Sequence, residues 1–239
     1  MSVPPRDWWL TVFFLIPAIT VYTVVLGLVS LASTLVDRRG HAAHRCARAW
    51  ARLILATTRV TVRLQGAALP PAGSSCVFVA NHQSIYDIPV VLAAIPFQLR
   101  IIAKASLGQW PFLGWHLRRA GHVLVDRAKP GASVMKKLRR MVRQGASLIA
   151  FPEGTRSADG RVGRFKAGVF LLAIENGLDI VPLSIAGSRD VMRKGRLMTR
   201  PGVVDVTVYP AIPTAGLSRG DVRALASRVR EVVASVETL

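Results

Sequence analysis

Residues 8–36 form an unbroken run of 29 uncharged, mostly apolar positions, WWLTVFFLIPAITVYTVVLGLVSLASTLV. About 20 such residues suffice to cross a hydrocarbon core as a helix, so the run predicts a membrane anchor. Pro17 and Gly27 interrupt it and leave room for a kink or a re-entrant bend. Trp8 and Trp9 stand at one end, as interfacial anchors do. Asp37, Arg38 and Arg39 close the other end, followed by Arg45, Arg48 and Arg52, and the positive-inside rule places that end in the cytoplasm. A cleaved signal peptide has a shorter apolar core and a basic leader, where Asp7 is out of place. A buried core helix is usually shorter too.

Residues 41–58 read HAAHRCARAWARLILATT. Ala47, Trp50, Ala51, Ile54 and Leu55 fall on one helical face, beside Arg45, Arg48 and Arg52. A basic amphipathic helix of this kind suits a membrane surface, and equally a helix packed on a domain. With the preceding run it predicts a helical hairpin holding the rest of the chain against one leaflet.

Beyond Arg59 the pattern changes to short β-branched runs separated by helical stretches. Strands are predicted over 60–64, 76–80, 99–103, 121–125, 147–151, 180–185 and 203–209. Helices are predicted over 88–94, 110–119, 132–144, 167–176 and 219–236. Such alternation predicts an α/β fold: a mostly buried mixed sheet of about seven strands flanked by helices, after an N-terminal membrane-anchoring segment. The expected division is anchoring helices over 1–58 and an α/β domain over 59–239.

Composition narrows the partners. With 51% hydrophobic residues and a mean hydropathy of +0.37, the chain is neither disordered nor an ordinary soluble protein. Its 32 basic against 13 acidic residues give a net charge of +19, which points to anionic partners: membrane lipid, nucleic acid or phosphorylated small molecules. The skew of the basic residues toward Arg is also what codon bias produces. They are scattered, with no nucleic-acid motif and no aromatic platform, so nucleic acid is not expected as a partner. Two cysteines, Cys46 and Cys76, exclude a disulfide framework and a cysteine zinc cluster.

Candidate chemistry gathers at predicted strand ends, where α/β sheets present their sites. Asn81-His82-Gln83-Ser84-Ile85-Tyr86-Asp87 follows one strand directly. A neutral imidazole there is a general-base candidate. Asp87 can reach it only if His82 lies in the loop and Asp87 opens the next helix, and Pro89 favours a helix start. Asp87 could then fix the ring tautomer, or merely cap the helix. Ser84 is a weaker nucleophile candidate, without a G-x-S-x-G elbow. Phe151-Pro152-Glu153-Gly154-Thr155-Arg156 follows another strand. Its Gly-Thr-Arg turn offers N–H groups, a hydroxyl and a guanidinium to a phosphate, while Glu153 and Arg156 could simply pair. Gly121 to Arg127 is a strand ending in Asp126-Arg127, and Val181-Pro182-Leu183 reads as core or pocket wall.

Together, Asn81-His82 with Asp87, the 151–156 run and Val181-Pro182-Leu183 resemble the motifs of the glycerolipid acyltransferase family, in particular its bacterial 1-acyl-glycerol-3-phosphate (lysophosphatidic acid) acyltransferases. The resemblance runs from about residue 60 to 213. Gly121 to Arg127 fits the family's second block loosely, with Leu124 where an aromatic is common. It implies that His82 deprotonates the 2-hydroxyl of a lysophosphatidic acid and Asp87 orients His82. Lys104, Arg127, Glu153, Gly154, Thr155 and Arg156 would hold the glycerol phosphate. The acyl donor would be acyl-CoA or acyl-carrier protein, with no metal and no cofactor. A different lyso-lipid, such as a lyso-ornithine lipid, is the alternative acceptor. The implied location is the inner membrane among its phospholipids, with the catalytic domain on the cytoplasmic face.

Overall fold

Four consecutive residues of one short strand explain the layering. In Val77–Ala80 all four side chains are buried. Phe78 and Ala80 pack into one hydrophobic core, and Val77 and Val79 into another. A strand covered on both faces reads as a continuous apolar run, and it requires helices above and below its sheet.

The computed structural model describes residues 5–37, 40–71, 73–109, 114–115, 123–125, 136, 140–141 and 145–235, and only the backbone of Ala103, Lys104 and Val125. The strands are β1 (Val60–Gly66), β2 (Val77–Ala80), β3 (Leu99–Lys104), β4 (Val123–Val125), β5 (Ser147–Ala150), β6 (Ile180–Ala186) and β7 (Gly202–Val208). They form one sheet in the order β1-β7-β6-β2-β5-β3-β4. Neighbours run parallel except β6 and β7, which are antiparallel. Each predicted strand is present, within two residues at its described ends.

The helices are α1 (Arg6–Ser33), α2 (His41–Thr57), α3 (Asp87–Ala94), α4 (Gly168–Glu175), α5 (Ser188–Val191) and α6 (Val222–Ala234). α2 and α3 cover the sheet face carrying Phe78; α4 and α6 cover the other. The predicted helices 110–119 and 132–144 lie largely outside the described residues, where Gly114, Trp115, Lys136, Arg140 and Met141 are helical. The short α5 had no periodic signal.

α1 is one continuous helix of 28 residues rather than a re-entrant bend. A wider π-type turn spans Thr11–Leu15, just before Pro17, whose missing N–H deprives a preceding carbonyl of its helical partner. Among the described residues α1 alone is long and apolar enough to cross a membrane. Phe13, Phe14, Val21, Val25, Leu28 and Val29 are exposed on it. Its other side meets α2, where Trp50 Nε1 donates to Thr23 Oγ1 (2.9 Å) and Tyr22 and Thr57 hydroxyls lie 3.1 Å apart. The apolar stripe of α2 therefore faces protein: Ala47, Ala51, Ile54 and Leu55 belong to the core shared with α3.

At the junction between α1 and α2 a half-buried Asp37 meets buried polar groups. Asp37 accepts the N–H groups of Gly40 (3.0 Å) and Ala42 (2.6 Å), starting α2, and its charge favours the buried Arg100 of β3. Next to it, burial and the Arg100 and Arg48 guanidinium groups push His44 down to about 4. His44 is thus neutral in the folded chain, while unfolding returns it to about 6.5. Between these values the unfolded state binds more protons, so this contribution to stability is complete above about pH 6.5 and is lost as pH falls toward 4. In thermal unfolding in detergent, the midpoint should drop between pH 7 and 5, and His44→Gln should flatten that dependence.

Gly187 links β6 to α5 at φ +86°, and a Cβ there would sit 2.4 Å from the Val203 carbonyl oxygen. Gly187→Ala should destabilise by about 1–3 kcal/mol through strain and that collision, measured as a lowered unfolding midpoint.

Candidate active site

β2 and β5 are parallel neighbours, with Val79 opposite Ala150. Carrying that register three residues further brings His82 level with Glu153. There the His82 N–H donates to Glu153 Oε1 (2.8 Å), and the Ser157 N–H donates to the His82 carbonyl (2.7 Å). On the other side of β2, the Asn81 amide replaces a strand-pairing step. It donates to the Ile185 carbonyl (2.9 Å) and accepts the Ile185 N–H (2.8 Å). Glu153 and Ser157 on one side and Ile185 of β6 on the other thereby fix the backbone on which His82 sits.

His82 Nδ1 lies 2.7 Å from Asp87 Oδ2. The same oxygen accepts the N–H groups of Gln83 (2.7 Å) and Ser84 (2.9 Å). Asp87 is fully buried as the first residue of α3. The loop between the two residues thus curls around the carboxylate, which is how a spacing of five residues closes into contact. An ionised carboxylate only accepts, so Nδ1 carries the proton and Nε2 keeps a lone pair. Phe151 stacks on the imidazole at a centroid distance of 4.4 Å, and the His82 side chain retains 11% exposure. Ser84 is turned away: its hydroxyl donates to the Met192 carbonyl (2.7 Å).

The 152–156 turn is built on Gly154, at φ +76°, whose N–H donates to the Phe151 carbonyl (3.1 Å). Glu153 does not pair with Arg156. Its Oε1 takes the His82 N–H and its Oε2 the Gly163 N–H (3.1 Å), and burial pushes its pKa up despite those bonds. Thr155 is exposed, and its hydroxyl accepts from Lys194 Nζ at 3.2 Å. Lys166 Nζ lies 3.0 Å from where a Cβ on residue 154 would stand. Lys104 ends β3, with only its backbone described, and Arg127 lies outside the described residues. Lys166 and Lys194 were missed in the sequence, as was the structural role of Asn81. Asn81 stood beside the noted His82, but nothing local revealed a partner 104 residues away. Lys194 sits in an ordinary basic loop.

An apolar cavity of about 200 Å³ opens beside Ile85 and Tyr86, between Leu15 and Ile19 of α1 and Trp50 and Ile54 of α2. Among the described residues, no group of three or more His, Cys, Asp or Glu side chains is placed to hold a metal ion.

The family model described as "Acyltransferase" matches residues 61–186, more than half of the chain and both strand-end motifs. The chain belongs to the acyltransferase family. A 1-acyl-sn-glycerol-3-phosphate acyltransferase of Chlamydomonas reinhardtii is 35% identical over 61% of this chain and 44% of its own length. The human enzyme named 1-acyl-sn-glycerol-3-phosphate acyltransferase alpha is 34% identical over 74% of this chain and 64% of its own. This acyltransferase-family chain thus spans less than two thirds of those relatives. The crystal structure of the 1-acyl-sn-glycerophosphate (LPA) acyltransferase PlsC from Thermotoga maritima superposes with a TM-score of 0.83 at 29% identity, covering 98% of this chain and 95% of the other.

Removing the Glu153 carboxylate orphans two backbone N–H groups at once. Glu153→Ala should cost about 2–4 kcal/mol of stability, read from denaturant unfolding in detergent, at roughly 1–3 kcal/mol for each unsatisfied buried group.

Proposed function

We propose that this chain transfers a fatty acyl group from acyl-CoA or acyl-carrier protein to the 2-hydroxyl of 1-acyl-glycerol-3-phosphate, giving phosphatidic acid. The observation that carries the reading is the His82–Asp87 contact of 2.7 Å, on a loop bonded directly to the 152–156 turn. A base and an anion cradle on adjacent strand ends are what acyl transfer to a phosphorylated alcohol needs. The names of the relatives point to the same acceptor.

In this reading His82 Nε2 takes the proton from the 2-hydroxyl as its oxygen attacks the thioester carbonyl carbon. Asp87 holds the ring through Nδ1–H and stabilises the imidazolium. The tetrahedral intermediate collapses with cleavage of the C–S bond, and the thiolate leaves with the proton returned by His82. A thioester is activated enough that a positioned base suffices. Arg156 and the Gly154-Thr155 backbone hold the phosphate, with Lys104 and Arg127 as further cations. Glu153 serves by position, anchoring the His82 backbone. The apolar cavity beside Ile85 suits an acyl chain. α1 would keep the domain at the cytoplasmic face of the inner membrane, where substrate and product reside in the bilayer.

Purified protein in micelles, given oleoyl-CoA or oleoyl-acyl-carrier protein with lysophosphatidic acid, should form phosphatidic acid. His82→Ala should lower kcat by about 10²–10⁴-fold, the usual contribution of a general base. Transfer to a phosphate-free lyso-lipid alone would overturn the acceptor assignment, and an unimpaired His82→Ala would overturn the base.

A further inference from the structure

The stretch from Met192 to Arg200 touches three functional parts of the molecule. Met192 receives the Ser84 hydroxyl from the loop that carries His82 (2.7 Å). The Thr199 N–H donates to Thr11 Oγ1 (3.0 Å) at the wide turn of α1, and Arg200 lies 3.6 Å from Asp7 on the same helix. Between these ties, Lys194 Nζ reaches the 152–156 turn, 2.8 Å from the Arg156 carbonyl and 3.2 Å from Thr155 Oγ1.

An ammonium group has three donors, and these two contacts use two. The third is left for a ligand. Both acceptors are neutral, so they orient the ammonium without cancelling its charge. The nearest carboxylate of the turn, Glu153, is committed to the His82 and Gly163 N–H groups. Lys166 Nζ stands at Gly154, where a side chain would fill the space. Among the described residues neither lysine forms a salt bridge. Thus the ammonium groups of Lys166 and Lys194 reach, from two other segments of chain, one turn of three residues that itself carries Arg156.

On the acyl-transfer reading, on which this rests, we propose that Lys194 is a further phosphate-binding residue: its free N–H donates to a phosphate oxygen seated on the 154–156 turn, and the 192–200 loop delivers it there. The phosphate belongs either to the lyso-lipid acceptor or to the CoA of the donor.

The test compares Lys194→Ala and Lys194→Arg with the unmodified full chain in micelles. One pair of acceptors is lysophosphatidic acid and monoacylglycerol; one pair of donors is oleoyl-CoA and oleoyl N-acetylcysteamine thioester. Lys194→Ala should lower kcat/KM about tenfold for a phosphate-bearing substrate relative to its phosphate-free counterpart, mainly through KM, as loss of one charge-assisted hydrogen bond does. Lys194→Arg should recover most of the loss. A selective loss in the acceptor pair assigns the lipid phosphate, and in the donor pair the CoA phosphate. Equal losses for all substrates, carried by kcat, would make Lys194 a strut and overturn the proposal, as would no change. Binding is read independently of turnover, from the shift in thermal midpoint on adding lysophosphatidic acid or desulfo-CoA without a second substrate. If the unmodified chain transfers no acyl group, the proposed function fails, and this shift alone decides. Its loss in Lys194→Ala supports the phosphate contact, and its persistence overturns it.

Discussion

The register between β2 and β5 is the constraint on which the site depends. Two parallel strands end on the same edge, and with Val79 opposite Ala150 the loops that leave them run side by side. Residues 71 positions apart then meet through one backbone-to-carboxylate bond. A shift of one residue would also exchange the faces of β2, exposing Phe78 and Ala80 to the core built for Val77 and Val79. The packing on both sheet faces therefore guards the alignment of the site, and the geometry at His82 follows from apolar residues that take no part in chemistry.

The second device is the use of two carboxylates, buried Asp87 and half-buried Glu153, as organisers. Asp87 gathers His82 and two backbone N–H groups onto one oxygen, and Glu153 spans two loops with its two oxygens. Burying a charge is costly unless hydrogen bonds replace its water, and here each replacement fixes a loop. The cationic groups behave differently. Lys194 stays at the exposed rim and binds only neutral acceptors, so its charge remains available. Acidic side chains face inward and Lys194 stands at the rim.

The apolar helix is joined to this machinery at both ends. Near its start, Asp7 and Thr11 hold the 192–200 loop; beyond its end, Asp37 caps α2 and faces Arg100 of the sheet. The exposed side of α1 is left apolar while its inner side packs on α2 through Thr23 and Tyr22. This long apolar helix thus shares side-chain contacts with the 192–200 loop, which in turn bonds the His82 loop through Met192.

Local sequence determined the elements. Short apolar, β-branched runs and the 29-residue uncharged stretch are properties of short windows, and each strand was legible for that reason. The His82–Asp87 contact was legible only as one of two alternatives: Pro89 favours a helix start at which the pair can meet, but a plain helix cap fits the same residues, and the folded loop decides. What the windows could not contain was partnership across the chain. Glu153 looked like a phosphate or Arg156 partner, yet strand order gives it the His82 and Gly163 N–H groups. The stripe on α2 suited bilayer or protein equally, since both are apolar, and only the position of α3 settled which. Asn81 on Ile185 and Lys194 on Thr155 carry no sequence signal, because hydrogen bonds between distant segments depend on topology, and topology is a property of the whole packed chain.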